Sequence, residues 1–264
     1  MQFYKMHSAG NDFVIFQKSA VSPEFVIKVC HRKLGVGADG VLLVFEKDGV
    51  WNMRIFNSDG TEAEMCGNGL ACSALFIRDV LKKKCSELKI NTLAGLQKVK
   101  FEEDRVVEKI AYYSFKKEDV PYLGDGRIDV NGKEFELHPV SVGNPHAVFV
   151  VEDFSMFEEI GKFLQNHPDF PQKVNVEFVK IINTGESVTE VEARVWERGV
   201  GETLSCGTGT VAIGLVLNKL YGIEHVIVHW KGGDLEVKVE DGVYLILNPE
   251  VVFEGKLFSE KDEK

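Results

Sequence analysis

"EMCGNGLACSALF", Glu64–Phe76, sets Cys66 directly before a glycine-rich turn and a long apolar segment. "LSCGTGTVAIGLV", Leu204–Val216, repeats the arrangement around Cys206, at an offset of 140 residues. Each segment reads as a helix that is apolar on nearly every side. Such a helix must be buried, and strands are the natural wrapping. Arg54 then lies against Arg194, Glu62 against Glu202, Gly67 against Gly207, Gly69 against Gly209 and Leu75 against Leu215. Upstream the offset is 133, where "SAGND" (Ser8–Asp12) meets "SVGNP" (Ser141–Pro145) and Asn11 pairs with Asn144. Two matched blocks in the same order read as an internal duplication. They predict two similar domains with a site in the cleft between them.

The rest of the chain supplies the wrapping. "VLLVFEKDGVWNMRIF", "LQKVKFEEDRVVEKIAYY" and "LEVKVEDGVYLIL" alternate with period two, and Asp48-Gly49 and Asp241-Gly242 mark hairpin turns. Two further helices are predicted. "SPEFVIKVCHRKL" has Ser22 as N-cap and Pro23 at the first helical position, and "FSMFEEIGKFLQNH" is amphipathic and stops before Pro168. The domain boundary is expected near "KKEDVPYLGDG" (Lys116–Gly126), where charge, proline and glycine interrupt the strands. Residues 1–117 plus 252–264 then form the N-terminal domain with Cys66, and 118–251 the C-terminal domain with Cys206.

At 264 residues, 44% hydrophobic and 27% charged, the composition is globular, and no apolar run is long enough to span a bilayer. A net charge of −10 argues against nucleic acid or an anionic membrane as the main partner, and leaves room for a small zwitterion. The N-terminus alternates like a strand and carries no secretory pattern, so a cytoplasmic protein is expected. Five cysteines, an odd number, argue against a disulfide framework, and the absence of CxxC argues against structural zinc. His225 and His229 lie four apart in "HVIVHW", but on a strand that spacing is too long for easy chelation. No metal is expected.

A sulfur at the first turn of a helix sits near unpaired N–H groups and the positive end of the dipole, which favour thiolate over thiol. Glycines after it let backbone amides approach an anion closely. Two such helix starts facing one carboxylate, with a sulfur on each side, have the geometry for taking a proton from one face of a carbon and returning one to the other. Cys30, Cys72 and Cys85 lack the duplicated C-G-x-G context and read as packing.

"NSDGTEAEMCGNG", "VGNPH" and "ERGVGETLSCGTG", with "KMHSAGNDF" and "GVGADG", resemble the blocks of the diaminopimelate epimerase family, in order and across essentially the whole chain. The resemblance implies an α+β fold of two pseudo-symmetric domains, each a β-sheet or barrel wrapped around a central buried helix. The last strand, around "VVFEGKLF", would return to the first domain. The implied reaction interconverts L,L- and meso-diaminopimelate, for lysine and peptidoglycan precursors, without pyridoxal phosphate or metal. A homodimer is compatible with it.

Carried onto matching positions, Cys66 and Cys206 are the two acid/base thiols. Amides of Gly67, Asn68, Gly207 and Thr208 cradle the reacting carboxylate. Asn11, Asn57, Asn144, Asn175, Glu197 and Arg198 grip the amino and carboxylate groups, chiefly at the non-reacting end; His146 helps set thiol protonation, and Glu197 also supports catalysis. The plainer readings are a turn alone for Asn57 and Asn144, a solvated ion pair for Glu197-Arg198, and a satisfied core histidine for His146. The family's occasional glutamine is glycine here, at Gly40, which therefore stays outside the site; Trp196 replaces a frequent tyrosine. Competing readings are a racemase for histidine or proline, a lyase needing one thiol, a redox switch in a binding protein, and a cysteine hydrolase. The hydrolase leaves the second C-G-x-G unexplained.

Overall fold

The computed structural model describes residues 1–258; the final six residues of the expected N-terminal domain, 259–264, lie outside the described residues. The chain divides into two compact units, one formed by residues 1–108 with the chain from Leu247 onward, the other by Lys109–Ile246.

In the first unit, strands β1 (Gln2–Ser8) and β2 (Asn11–Phe16) form a hairpin, and helix α1 (Pro23–Cys30) crosses to β3 (Gly40–Lys47), parallel to β2. Strand β4 (Val50–Asn57) pairs antiparallel with β3 and carries the short β5 (Glu62–Ala63). Helix α2 (Gly67–Leu75) then crosses to β6 (Glu87–Thr92), parallel to β4, and β7 (Gly95–Glu102) and β8 (Arg105–Ile110) follow as a meander. The hairpin at Asp48-Gly49 has φ of 53° and 76°, the left-handed pair that matches strand twist.

The second unit opens with a hairpin of its own, β9 (Arg127–Val130) and β10 (Lys133–Glu136), and then repeats the first. Strands β11 (His138–Ser141) and β12 (Pro145–Val150) pair antiparallel, and helix α3 (Phe157–Leu164) crosses to β13 (Asn175–Thr184), parallel to β12. Strands β14 (Thr189–Glu197) and β15 (Gly201–Thr203) follow, and helix α4 (Gly207–Tyr221) crosses to β16 (His225–Trp230), parallel to β14. Strands β17 (Gly233–Val239) and β18 (Val243–Leu247) close the series. Strand β19 (Pro249–Lys256) returns to pair antiparallel with β1. The duplication read from the sequence is therefore a duplication of topology: an α+β fold of two pseudo-symmetric units.

Strands β3 and β13 are covered on both faces over their first five residues, which is why β3 reads "GVLLV" rather than alternating. Val41 and Leu43 pack with Val26, Val29 and Cys30 of α1, while Leu42 faces Gly69 of α2. In the second unit Val176 and Phe178 pack with Phe157, Ile160 and Leu164 of α3. The cysteine helices are as buried as their composition requires. Every residue of α2 from Asn68 to Leu75 is buried, as is α4 from Gly209 to Leu217. Beyond Leu75 the helix widens into a π-helical turn over Phe76–Val80, with Leu81 N donating to Phe76 O at 3.0 Å.

Two predicted helices are shorter than their apolar patterns. Ser22 caps α1 as expected, its Oγ accepting from Phe25 N, but "HRKL" is not helical. His31 Nδ1 instead accepts from the backbone of Lys33 and Leu34, and the chain folds back so tightly that a Cβ on Gly35 would meet Lys28 O. Helix α3 keeps only the eight residues whose apolar face meets the sheet. The reversal at Asp241-Gly242 also departs from the Asp48-Gly49 form. It is closed by Glu240 N donating to Gly242 O (2.9 Å), without left-handed backbone.

Candidate active site

Cys66 and Cys206 occupy the same place in their units: each is the N-cap of the buried helix, with extended backbone (φ −150° and −140°). In the first unit Asn11, at the start of β2, reaches the helix start. Its Oδ1 accepts from Cys66 Sγ at 3.7 Å and from Asn68 Nδ2 at 3.4 Å. Asn11 is itself held by Asp39, which accepts from its Nδ2 at 3.1 Å. Gly67 and Asn68 open α2, and Asn68 is buried with no donor to its Oδ1 among the described residues. Asn57 ends β4, and its side chain closes a turn by donating to Thr61 Oγ1 at 3.0 Å. A Cβ on Gly40 would stand 2.5 Å from Phe56 O, so the strand is fitted to glycine there.

In the second unit Asn144 matches Asn11. Its Nδ2 donates toward Thr208 Oγ1 at 3.4 Å, while its Oδ1 faces His146 Nε2 at 3.0 Å. Cys206 Sγ accepts from Gly209 N at 3.3 Å and lies 3.4 Å from Thr208 Oγ1. Gly209 leaves room for both groups: a Cβ there would lie 2.9 Å from Glu177 Oε1 and 3.3 Å from the Cys206 sulfur, so the carboxylate would have to shift. Asn175 is buried and ties two segments together, donating to Pro145 O at 3.1 Å and accepting Arg198 N at 2.8 Å. Thr203 Oγ1 donates to Glu197 Oε1 at 2.5 Å. Arg198 is exposed, its guanidinium reaching Gln172 O at 3.4 Å. His146 is completely buried and fully paired.

The electrostatics of Cys206 reverse the expectation drawn from its helix position. Burial pushes its thiol well above the usual range, the carboxylates of Glu197 and Glu177 add to that, and hydrogen bonds from Thr208 and Gly209 pull only partly back. The helix start favours thiolate, but loss of water outweighs it. Burial likewise raises Cys30 to about 11 and puts Cys72 well above its usual range, as befits packing residues. All five cysteines are free thiols, and among the described residues no cluster of His, Cys, Asp and Glu could hold a metal ion. His225 and His229 instead pair with carboxylates, Glu236 for the first, Glu190 and Asp234 for the second.

Two features escaped the sequence reading. Glu177 Oε1 lies 2.7 Å from His146 Nδ1 with both side chains fully buried. A glutamate amid "VNVEFV" on a doubly covered strand was the available signal, since a buried charge demands a partner. The other feature is the ion cluster behind Asn11. Arg32 bridges Asp12 (2.9 Å) and Asp39 (2.7 Å), and Lys5 adds to Asp12 at 2.5 Å. Although burial works to raise it, the Asp12 carboxyl is held well below the usual range by hydrogen bonds from Arg32 and Lys5.

The diaminopimelate epimerase family model matches residues 3–113 and 139–246. A diaminopimelate epimerase of Desulfitobacterium hafniense is 41% identical, over 98% of this chain and 99% of its own length. One of Methanocaldococcus jannaschii is 37% identical, over 98% and 99%. Among solved structures, a phenazine biosynthesis protein of the PhzF family from Bacillus anthracis shares the fold (TM-score 0.74, 15% identity, 98% of this chain and 99% of that one). So does a probable proline racemase from Agrobacterium radiobacter (TM-score 0.68, 14% identity, 99% and 94%). With paired cysteine helices, a duplicated topology and relatives matched end to end, this chain belongs to the diaminopimelate epimerase family.

Proposed function

We propose that the protein interconverts L,L- and meso-diaminopimelate by moving a proton between the two faces of the α-carbon, with Cys66 and Cys206 as the acid/base pair. The observation that carries this reading is the equivalence of the two sulfurs. Each caps a buried helix, beside an asparagine from the matching hairpin, in a chain of this family.

In this reading the substrate meets one sulfur as thiolate and the other as thiol. The thiolate takes the α-proton, and the thiol delivers its own to the opposite face. The two sulfurs therefore exchange protonation states in each turnover. Negative charge spreading into the α-carboxylate is met by N–H groups of Gly67, Asn68, Gly207 and Thr208. Arg198 takes the far carboxylate as a fork and Glu197 an ammonium, while Asn11, Asn57, Asn144 and Asn175 supply amides. Neither metal nor pyridoxal phosphate takes part. The proposed setting is the cytoplasm, where thiols stay reduced, and the product feeds lysine and peptidoglycan precursors. A homodimer is compatible with the reading. No helix among the described residues is long and apolar enough to cross a membrane.

Proton NMR of the reduced protein with L,L-diaminopimelate in D2O tests this directly. Loss of the α-proton signal together with appearance of the meso isomer is the expected result. Exchange only with histidine or proline would keep the chemistry and change the substrate. No exchange with any of the three would overturn the reading.

A further inference from the structure

The two units differ at one place that the duplication makes comparable. Strand register sets Phe13 of β2 opposite Gly40 and His146 of β12 opposite Asn175, so Leu42 and Glu177 occupy equivalent positions. In the first unit the space beside Gly69 of α2 is apolar, filled by Leu42, Ile55 and Phe13. Beside the matching Gly209 of α4 stands the Glu177 carboxylate, paired with His146. The fold is thus built equally well without a charge there, and burying one is costly unless it serves something.

A chain of hydrogen bonds links this carboxylate to Cys206. His146 Nδ1 lies against Glu177 Oε1, and its Nε2 faces Asn144 Oδ1, an acceptor to which it donates. That contact turns the Asn144 amide so that Nδ2 donates to Thr208 Oγ1, whose own hydroxyl proton is then free to point at Cys206 Sγ. In the first unit the matching Asn11 presents its oxygen instead, and Cys66 Sγ donates to it.

We propose that Glu177 is a positioning residue for the reaction, acting through His146 and Asn144 so that a hydrogen-bond donor, rather than an acceptor, reaches the Cys206 sulfur. The inference rests on the two-thiol reading. In each cycle Cys206 must pass through its thiolate form, which burial and two nearby carboxylates disfavour. The Thr208 hydroxyl and Gly209 N–H are the donors that make that form attainable. The charges facing this sulfur within its unit are those of Glu177 and Glu197, one on β13 and one at the end of β14.

The test compares Cys206 with Cys66 in the same full-length, reduced molecule, by mass spectrometry of iodoacetamide-treated protein at fixed pH. Glu177→Gln keeps shape, but its amide can face His146 with either end, so the order of the relay is lost. Cys206 alkylation is expected to fall about tenfold relative to Cys66, the scale of one hydrogen bond to a charged atom, with kcat falling similarly and KM little changed. Thr208→Val removes the hydroxyl that ends the relay, leaving Gly209 N–H in place, and is expected to give the same ratio, which covers the case in which the first variant does not fold. An unchanged ratio, or both cysteines changing together, would mark Glu177 as a packing residue and overturn the proposal. Faster alkylation of Cys206 would overturn it too, since removing a repelling charge alone has that effect. The alkylation ratio needs no substrate, so it stands apart from a failure to turn over diaminopimelate.

Discussion

Arg194 grips Glu202 with two parallel hydrogen bonds, Nε to Oε1 at 2.9 Å and Nη2 to Oε2 at 3.0 Å, as Arg54 grips Glu62 at 2.6 and 2.8 Å in the other unit. In both cases the fork fastens the short strand that leads into the cysteine, β15 before Cys206 and β5 before Cys66. The Arg hydrogen bond holds each Glu carboxyl below its usual range. Glu62→Gln and Glu202→Gln are each expected to lower stability by about 1 kcal/mol at pH 7, and to slow turnover by loosening the helix start. A depressed carboxyl stabilises the fold above its unfolded value and loses that contribution as pH falls through its folded one. Urea midpoints of parent and variant are therefore expected to differ at pH 7 and converge in strong acid; equal midpoints at pH 7 would remove the fork from the stability argument.

Replacing either sulfur tests the symmetry of the proposed chemistry. Cys66→Ser and Cys206→Ser are expected to cut epimerisation by at least about 100-fold each, because a hydroxyl is a far weaker acid than a thiol. Circular dichroism is expected to be unchanged. Full activity in either variant, read by chiral chromatography of the product, would end the two-thiol proposal.

Arg198 is exposed and spends its guanidinium only on Gln172 O in the described structure, which leaves a fork for a substrate carboxylate. Arg198→Ala is expected to raise KM at least about tenfold with a much smaller change in kcat, the pattern of lost uniform binding. A drop confined to kcat would assign this residue to the chemistry instead.

Glu108 on β8 is buried, and burial alone pushes its carboxyl up to about 7. The folded state keeps this proton while the unfolded chain releases it above about pH 4.5, so stability falls as pH rises from there through 7. Above pH 7 this carboxyl leaves the fold about 3 kcal/mol less stable than it is below pH 4.5. Glu108→Gln is thus expected to raise the urea midpoint at pH 8 and leave it nearly unchanged at pH 4. A variant no more stable than the parent at pH 8 would show that the carboxylate is solvated when it ionises.

Much of this was legible in the chain. Ser22 and Pro23 announced the start of α1, and Asp48-Gly49 announced its hairpin, because caps and turns depend on a few adjacent residues. The all-round apolar segments after Cys66 and Cys206 announced two buried helices, since no partly exposed helix tolerates such a pattern. The matched Arg54–Glu62 and Arg194–Glu202 spacings carried the duplication, although nothing in the sequence showed that each pair is a bidentate contact.

What the sequence by itself determined were the elements, their order, the repetition of the unit and the residue types at the helix starts, all set by short-range patterns of polarity and backbone preference. Where α1 and α3 stop depended on what lay across from them, and apolar periodicity ran past both ends. Only the tertiary structure decided that Glu177 stands behind His146, that Asn144 and Asn11 present opposite ends of their amides, and that burial pushes the Cys206 thiol up. Those depend on which distant side chains are brought together away from water, and burial changes the energy of a charge or proton far more than local sequence does.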